Sequence, residues 1–118
     1  MNEKINVPKR FKIATMFGTE TCTMSASKYA DKAGHIAIQL WCADGPFATI
    51  TLNHAGLRGV SRNVSCVDTN NCPWAPALIK RLKIGEPTGH YLHSGFCSYP
   101  VYNFDTAKIA EYTGKEWG

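Results

Sequence analysis

The sequence predicts an α+β domain, a mostly antiparallel sheet of five or six strands with two helices. Three observations carry this reading: apolar and polar residues alternate over several short stretches, one segment has helical spacing, and Gly and Pro fall between them. At 118 residues, 44% hydrophobic and 19% charged, the chain has room for one domain and one modest core, which excludes a two-domain enzyme. Its 10 Gly and 6 Pro are close to average usage and exclude a fibrous or low-complexity class. The expected organisation is a basic, flexible leader over residues 1–9 and a single α+β domain over 10–118.

From Arg10 onward Phe11, Ile13, Thr15 and Phe17 share one face of a strand, and Gly18 turns the chain into a second strand over 19–24. Residues 27–34 are polar and close on Gly34, so they read as a loop or a single helical turn. Ile36, Ile38, Leu40 and Cys42 form the apolar face of the next strand, and Ala48, Ile50 and Leu52 that of its partner. Matching those faces places Cys42 opposite Ala48 and Leu40 opposite Ile50 across a loop with an odd number of residues, and leaves Trp41 and Phe47 together on the second face. Residues 53–63 hold two glycines and no period, a long loop of the kind that often carries function. A short strand over 64–67 and a polar turn over 68–71 follow. A helix over 73–84 then places Ala75, Leu78, Ile79 and Leu82 on one stripe, with Gly85 and Pro87 ending it. Residues 89–104 are extended and broken at Ser94 and Gly95, and Pro100 suits a sheet edge or a strand start. Asp105 is a natural N-cap for a last short helix with Ile109, Ala110 and Thr113 on one side.

The net charge of +4 is unevenly spread. Lys4, Lys9, Arg10 and Lys12 stand near the start, and Arg58, Arg62, Lys80, Arg81 and Lys83 cluster between residues 57 and 83. Such a footprint attracts anionic partners, although a sequence pI of 8.9 falls just short of that of a dedicated nucleic-acid domain. The five cysteines are odd in number and contain no C-x-x-C pair, which argues against a disulfide framework. The first residues lack an apolar run, so a cytoplasmic chain with reduced thiols and no membrane association is expected.

Catalytic constellations are weak. His90, His93 and Cys97 are zinc-type ligands, but the knuckle that usually anchors a zinc site is missing, and in an extended segment the two histidines point to opposite faces. Cys72, before a helix, is the best nucleophile on offer, with Asp68, His54 or His90 as conceivable partners. Residues 85–89 lack the Lys-Ser/Thr ending of a phosphate loop. No cofactor and no metal are expected. What remains is surface: Trp74 beside Lys80, Arg81 and Lys83 on the helix, with Arg58 and Arg62 from the long loop, forms the expected binding set.

Three stretches together resemble a small bacterial domain family of unknown function that travels on mobile elements such as plasmids, integrative elements and phages. They are Tyr29-Ala30 with the hairpin after it, Val67 to Pro73 with its Asp-Thr-Asn-Asn turn, and Thr88-Gly89 with the Ser-Gly-Phe-Cys-Ser-Tyr-Pro-Val-Tyr run from Ser94 to Tyr102. The likeness covers roughly residues 29–105 and brings no activity, cofactor or catalytic residue. It implies an accessory role on a mobile element, either tuning its transfer or interfering with host defence, as an inhibitor of a defence nuclease such as a CRISPR effector would. The expected function is therefore non-enzymatic binding of a host or element-encoded protein. The alternatives are direct binding of nucleic acid or a nucleotide, and a small cysteine- or zinc-dependent enzyme.

Overall fold

The computed structural model describes residues 7–118. Its elements run β1 (Phe11–Thr15), β2 (Gly18–Lys28), β3 (Ile36–Cys42), β4 (Gly45–Thr49), β5 (Thr51–Leu52), β6 (Val64–Val67), α1 (Ala75–Leu82), β7 (Gly85–Ser94), β8 (Cys97–Phe104) and α2 (Thr106–Thr113). The strands build two four-stranded antiparallel sheets, ordered β1-β2-β3-β4 and β5-β6-β8-β7. The α+β class holds, and the strands exceed the expected five or six because two extended stretches each divide.

The first division is at Ile50. The segment expected as one strand over 48–52 is two: β4 pairs with β3, while β5 leaves that sheet and pairs with β6. Ile50 bridges the sheets, since its N–H donates to the Ile38 carbonyl at 3.1 Å and its own carbonyl accepts from Asp68 at 2.9 Å. Thr51 secures the crossing, its Oγ1 accepting from the Ile38 N–H at 3.0 Å and lying 2.8 Å from the Tyr29 hydroxyl. Leu52 therefore never meets Ile38.

The expected register is also corrected. Cys42 lies opposite Gly45 and Leu40 opposite Ala48, with a shift between Leu40 and Trp41. The connecting loop is two residues, Ala43 and Asp44, which is even. A bulge at Phe47 absorbs the extra residue, so Phe47 and Ala48, though consecutive, both pack against the core. Face-matching alone could not see this, because it assumes strict alternation. Trp41 is left without Phe47 on the other face, where its indole N–H donates to Ser25 Oγ at 2.8 Å.

Other boundaries move for local reasons. β2 runs on to Lys28, pairing first with β1 and then with β3, so most of the expected 27–34 loop is a strand end and a tight turn. Residues 53–63 contain a 3-10 turn at Ala55–Leu57, capped by His54, whose Nδ1 accepts from the Gly56 N–H at 2.9 Å. α1 starts at Ala75 and stops at Leu82, because Lys83 adopts φ 59° and turns the chain out of the helix. Residues 73, 74, 83 and 84 thus fall outside it, and Gly85 opens a strand. A side chain at Gly85 would put a Cβ 2.9 Å from the Phe104 ring, which accounts for glycine where β7 meets β8. Pro100 lies in a central strand, not at an edge, just beyond the last residue of β8 that pairs with β6. Asp105 caps α2 as expected, accepting from the Lys108 N–H at 3.1 Å.

The main core lies between the sheets and the helices. Ile36, Ile38 and Leu40 of β3, Ala75, Leu78, Ile79 and Leu82 of α1, Phe104 of β8 and Ile109 of α2 belong to it. A second cluster of Leu57, Val64, Cys66, Tyr99 and Val101 packs separately. Because β6 alternates between the two clusters, all four of its residues are buried. Of the expected leader, residues 1–6 lie outside the described residues. Lys9 is tied down by its N–H to the Tyr112 carbonyl at 3.0 Å and by its ammonium 5.2 Å from the Tyr112 ring.

Candidate functional site

α1 buries its stripe of Ala75, Leu78, Ile79 and Leu82 and turns Lys80 and Arg81 to solvent, and Lys83, the residue that ends it, is exposed as well. Lys80 and Lys83 line an open hollow of about 580 Å³ whose other walls are Gly85, Glu86, Pro87 and Thr88 of β7 with Asn103, Phe104 and Asp105. Neither lysine forms an ion pair among the described residues. Arg81 is engaged: its guanidinium donates to the Lys12 carbonyl and holds the helix to β1.

Trp74 occupies the capping position of α1, half-buried, its ring 5.9 Å from Phe47 and its flank against the main core. Arg58 lines a different hollow, of about 590 Å³, with Asp31, Lys32, His35, Asn53 and His54. Arg62 lies 4.8 Å from the Trp117 ring and donates to the Gly118 carbonyl at 3.2 Å. The six expected binding residues therefore do not share one hollow: Lys80 and Lys83 do, Trp74 and Arg81 are anchored to neighbouring elements, and Arg58 and Arg62 line other parts of the surface.

Sequence reading has residues 89–94 of the strand beside that hollow as extended, but it misses the start of the strand at Gly85 and its place at a sheet edge. β7 is an edge strand of ten residues, all exposed except the partly covered Gly85 and Leu92, and its pairing with β8 is interrupted between Pro87 and Tyr91. Tyr91 and Phe96, the latter at the tip of the β7–β8 hairpin, present rings to solvent. Pro87 and Gly89 were the available signal, since both residues mark edges and irregular pairing.

The Asp31–His35 pair was missed as well. His35 is buried, its Nδ1 is 2.5 Å from Asp31 Oδ2, and its Nε2 is 2.9 Å from the Val60 carbonyl. Burial works to raise the Asp31 carboxyl, but the hydrogen bonds and charge of His35 outweigh it and hold it below its ordinary value.

The thiol chemistry is unfavourable at Cys72. Its Sγ donates to the Thr49 carbonyl at 3.6 Å, burial pushes its pKa up, and the Asp68 carboxylate pushes it the same way, which disfavours the thiolate a nucleophile needs. Asp68 instead organises the turn before α1, accepting from the Asn71 backbone and side chain at 3.2 and 2.9 Å. His54 is committed elsewhere, 2.7 Å from the His93 carbonyl. Among the described residues no group of three or more His, Cys, Asp or Glu side chains is placed to hold a metal ion. Among the described residues no helix is long and apolar enough to cross a membrane.

A family model for a domain of unknown function, DUF4313, matches residues 23–117. No curated protein and no solved structure matches the chain.

Proposed function

The chain belongs to the DUF4313 family, and we propose that it is a non-enzymatic binding protein that occupies an acidic surface of a protein partner with the outer face of α1 and the adjoining strand β7. One observation carries the reading: Lys80 and Lys83 stand exposed, without an ion pair among the described residues, over a hollow whose far wall is an exposed edge strand. Cations on a surface speed encounter with an acidic partner, and an open edge supplies backbone donors and acceptors for docking. An interface of standard size needs about 800 Å² from each partner, within reach of one helix face and one strand on a domain of this size.

The setting we propose is a mobile genetic element, with a host defence nuclease such as a CRISPR effector as the partner class. Support comes from the resemblance of the 67–73 and 94–102 runs to a mobile-element family. The first run leads into α1, and the second spans the tip of the β7–β8 hairpin and most of β8.

The test is the double reversal Lys80→Glu with Lys83→Glu, measured against the protein that copurifies with the tagged chain. A folded double variant should associate about tenfold more slowly at low salt and lose much of its salt dependence. Unchanged rate and affinity would remove this face from consideration. Tight oligonucleotide binding by the wild type that weakens steeply with salt would favour a nucleic-acid partner instead.

A further inference from the structure

β2 and β3 pair so that Met24 lies opposite Leu40 and Thr23 opposite Trp41, where their ladder ends, and Cys22 and Cys42 are the next residues on the two strands. Both side chains lie on the core face of the sheet, Cys22 inside the main cluster and Cys42 packed against it from a half-exposed position. Both line one surface hollow of about 330 Å³ together with Arg10 and Trp41. Cys42 faces Gly45 on its other flank, where no side chain covers it.

We propose that Cys22 and Cys42 form a dithiol that closes to a cross-strand disulfide when the chain meets a small-molecule disulfide of the glutathione class. Directly opposed residues of an antiparallel pair have Cα atoms about 4.5–5.5 Å apart, inside the roughly 4.4–6.8 Å that a disulfide spans, and Cys22 and Cys42 stand one step beyond such a pair, Thr23 and Trp41. The other cysteines are not placed this way: Cys66 lies opposite Val101, Cys97 opposite Ser94, and Cys72 in the turn before α1.

The order of events follows from exposure. Cys42, the accessible member, attacks one sulfur of the small disulfide as a thiolate and expels the other half as a thiol, leaving a mixed disulfide. Cys22 then gives up its proton and attacks the Cys42 sulfur from across the strand pair, expelling the second small thiol. The protein loses two protons and two electrons, and the small disulfide gains them as it becomes two thiols. Burial, followed by the neighbouring Cys42 and Glu20, raises the Cys22 thiol pKa, consistent with its acting second. Arg10 at the hollow offers a cation to the carboxylates of glutathione.

The experiment incubates the folded full chain with oxidised glutathione and follows intact mass and non-reduced peptide maps. The wild type should end two hydrogens lighter, with the peptides containing Cys22 and Cys42 linked, and Cys22→Ser should stop at one glutathione on Cys42. A persistent adduct on Cys42 of the wild type, a bridge between any other pair, or no reaction at Cys42 would each overturn the proposal. The wild-type map decides the matter even if the serine variant fails to fold.

Discussion

His35 shows how a single side chain can hold two segments that have no ladder in common. Its ring spans from the Asp31 carboxylate in the turn before β3 to the Val60 carbonyl after the 3-10 turn, and Asp31 also accepts from the His35 N–H at 3.0 Å. Asp31 has a folded pKa below its ordinary value, so its contribution is present above the unfolded carboxyl pKa of about 4 and is lost as the pH falls through the lower folded value. Asp31→Asn should therefore lower stability at neutral pH, and the gap to the wild type should close on acidification through that range, read from urea midpoints at a series of pH values. A gap independent of pH would mean that the carboxylate charge is not what the site uses. The thiols divide in the same residue-level way. Burial pushes Cys66 up to about 11, so the half-exposed Cys42 and Cys97 should alkylate first at neutral pH and Cys66 last, as peptide mapping over time would record.

At the scale of elements, the end of α1 sets stability against charge. Lys83 holds φ 59°, a left-handed conformation that glycine adopts freely and a side chain resists, and it is the only described non-glycine residue with positive φ. Lys83→Gly should stabilise the domain by about 0.5–1 kcal/mol in denaturant titration while weakening association with an acidic partner. A loss of stability would show that the lysine contributes packing that outweighs its backbone strain. The same element shows what a sequence conveys and what it withholds. The stripe of Ala75, Leu78, Ile79 and Leu82 was legible because helical spacing is a local property, and so was Asp105 as a cap. The bulge at Phe47 and the transfer of the chain at Ile50 were not legible, because each depends on a partner strand distant in sequence. The candidate site divided likewise: the lysines of α1 could be read from the chain, whereas their position over β7 follows from tertiary packing, and Arg58 and Arg62 were grouped with them only by charge.

At the scale of the molecule, the described residues form a flat body of 44 × 39 × 22 Å with a radius of gyration of 14.3 Å, a little above the roughly 13.5 Å of a compact globule of this length. The shape follows from two clusters laid side by side, joined through the doubly buried β6. The main cluster draws on both sheets and both helices, while the second is closed by Leu57 from the 3-10 turn. Substitutions in the two should therefore have different reach. Ile79→Ala removes fully buried volume from the main cluster and should cost about 3 kcal/mol, lowering amide protection together across β3, β6 and β8. Leu57→Ala should act nearer home, because the bonds it frees are those of its own segment: Leu57 N–H to His54, Arg58 N–H to Ala55 and Val60 N–H to Leu57. Hydrogen exchange should then show those amides losing protection while the amides of β3 keep theirs. If both substitutions instead lowered protection equally in every strand, the two clusters would have to be one cooperative unit, and the junction at β6 would be transmitting the loss in full.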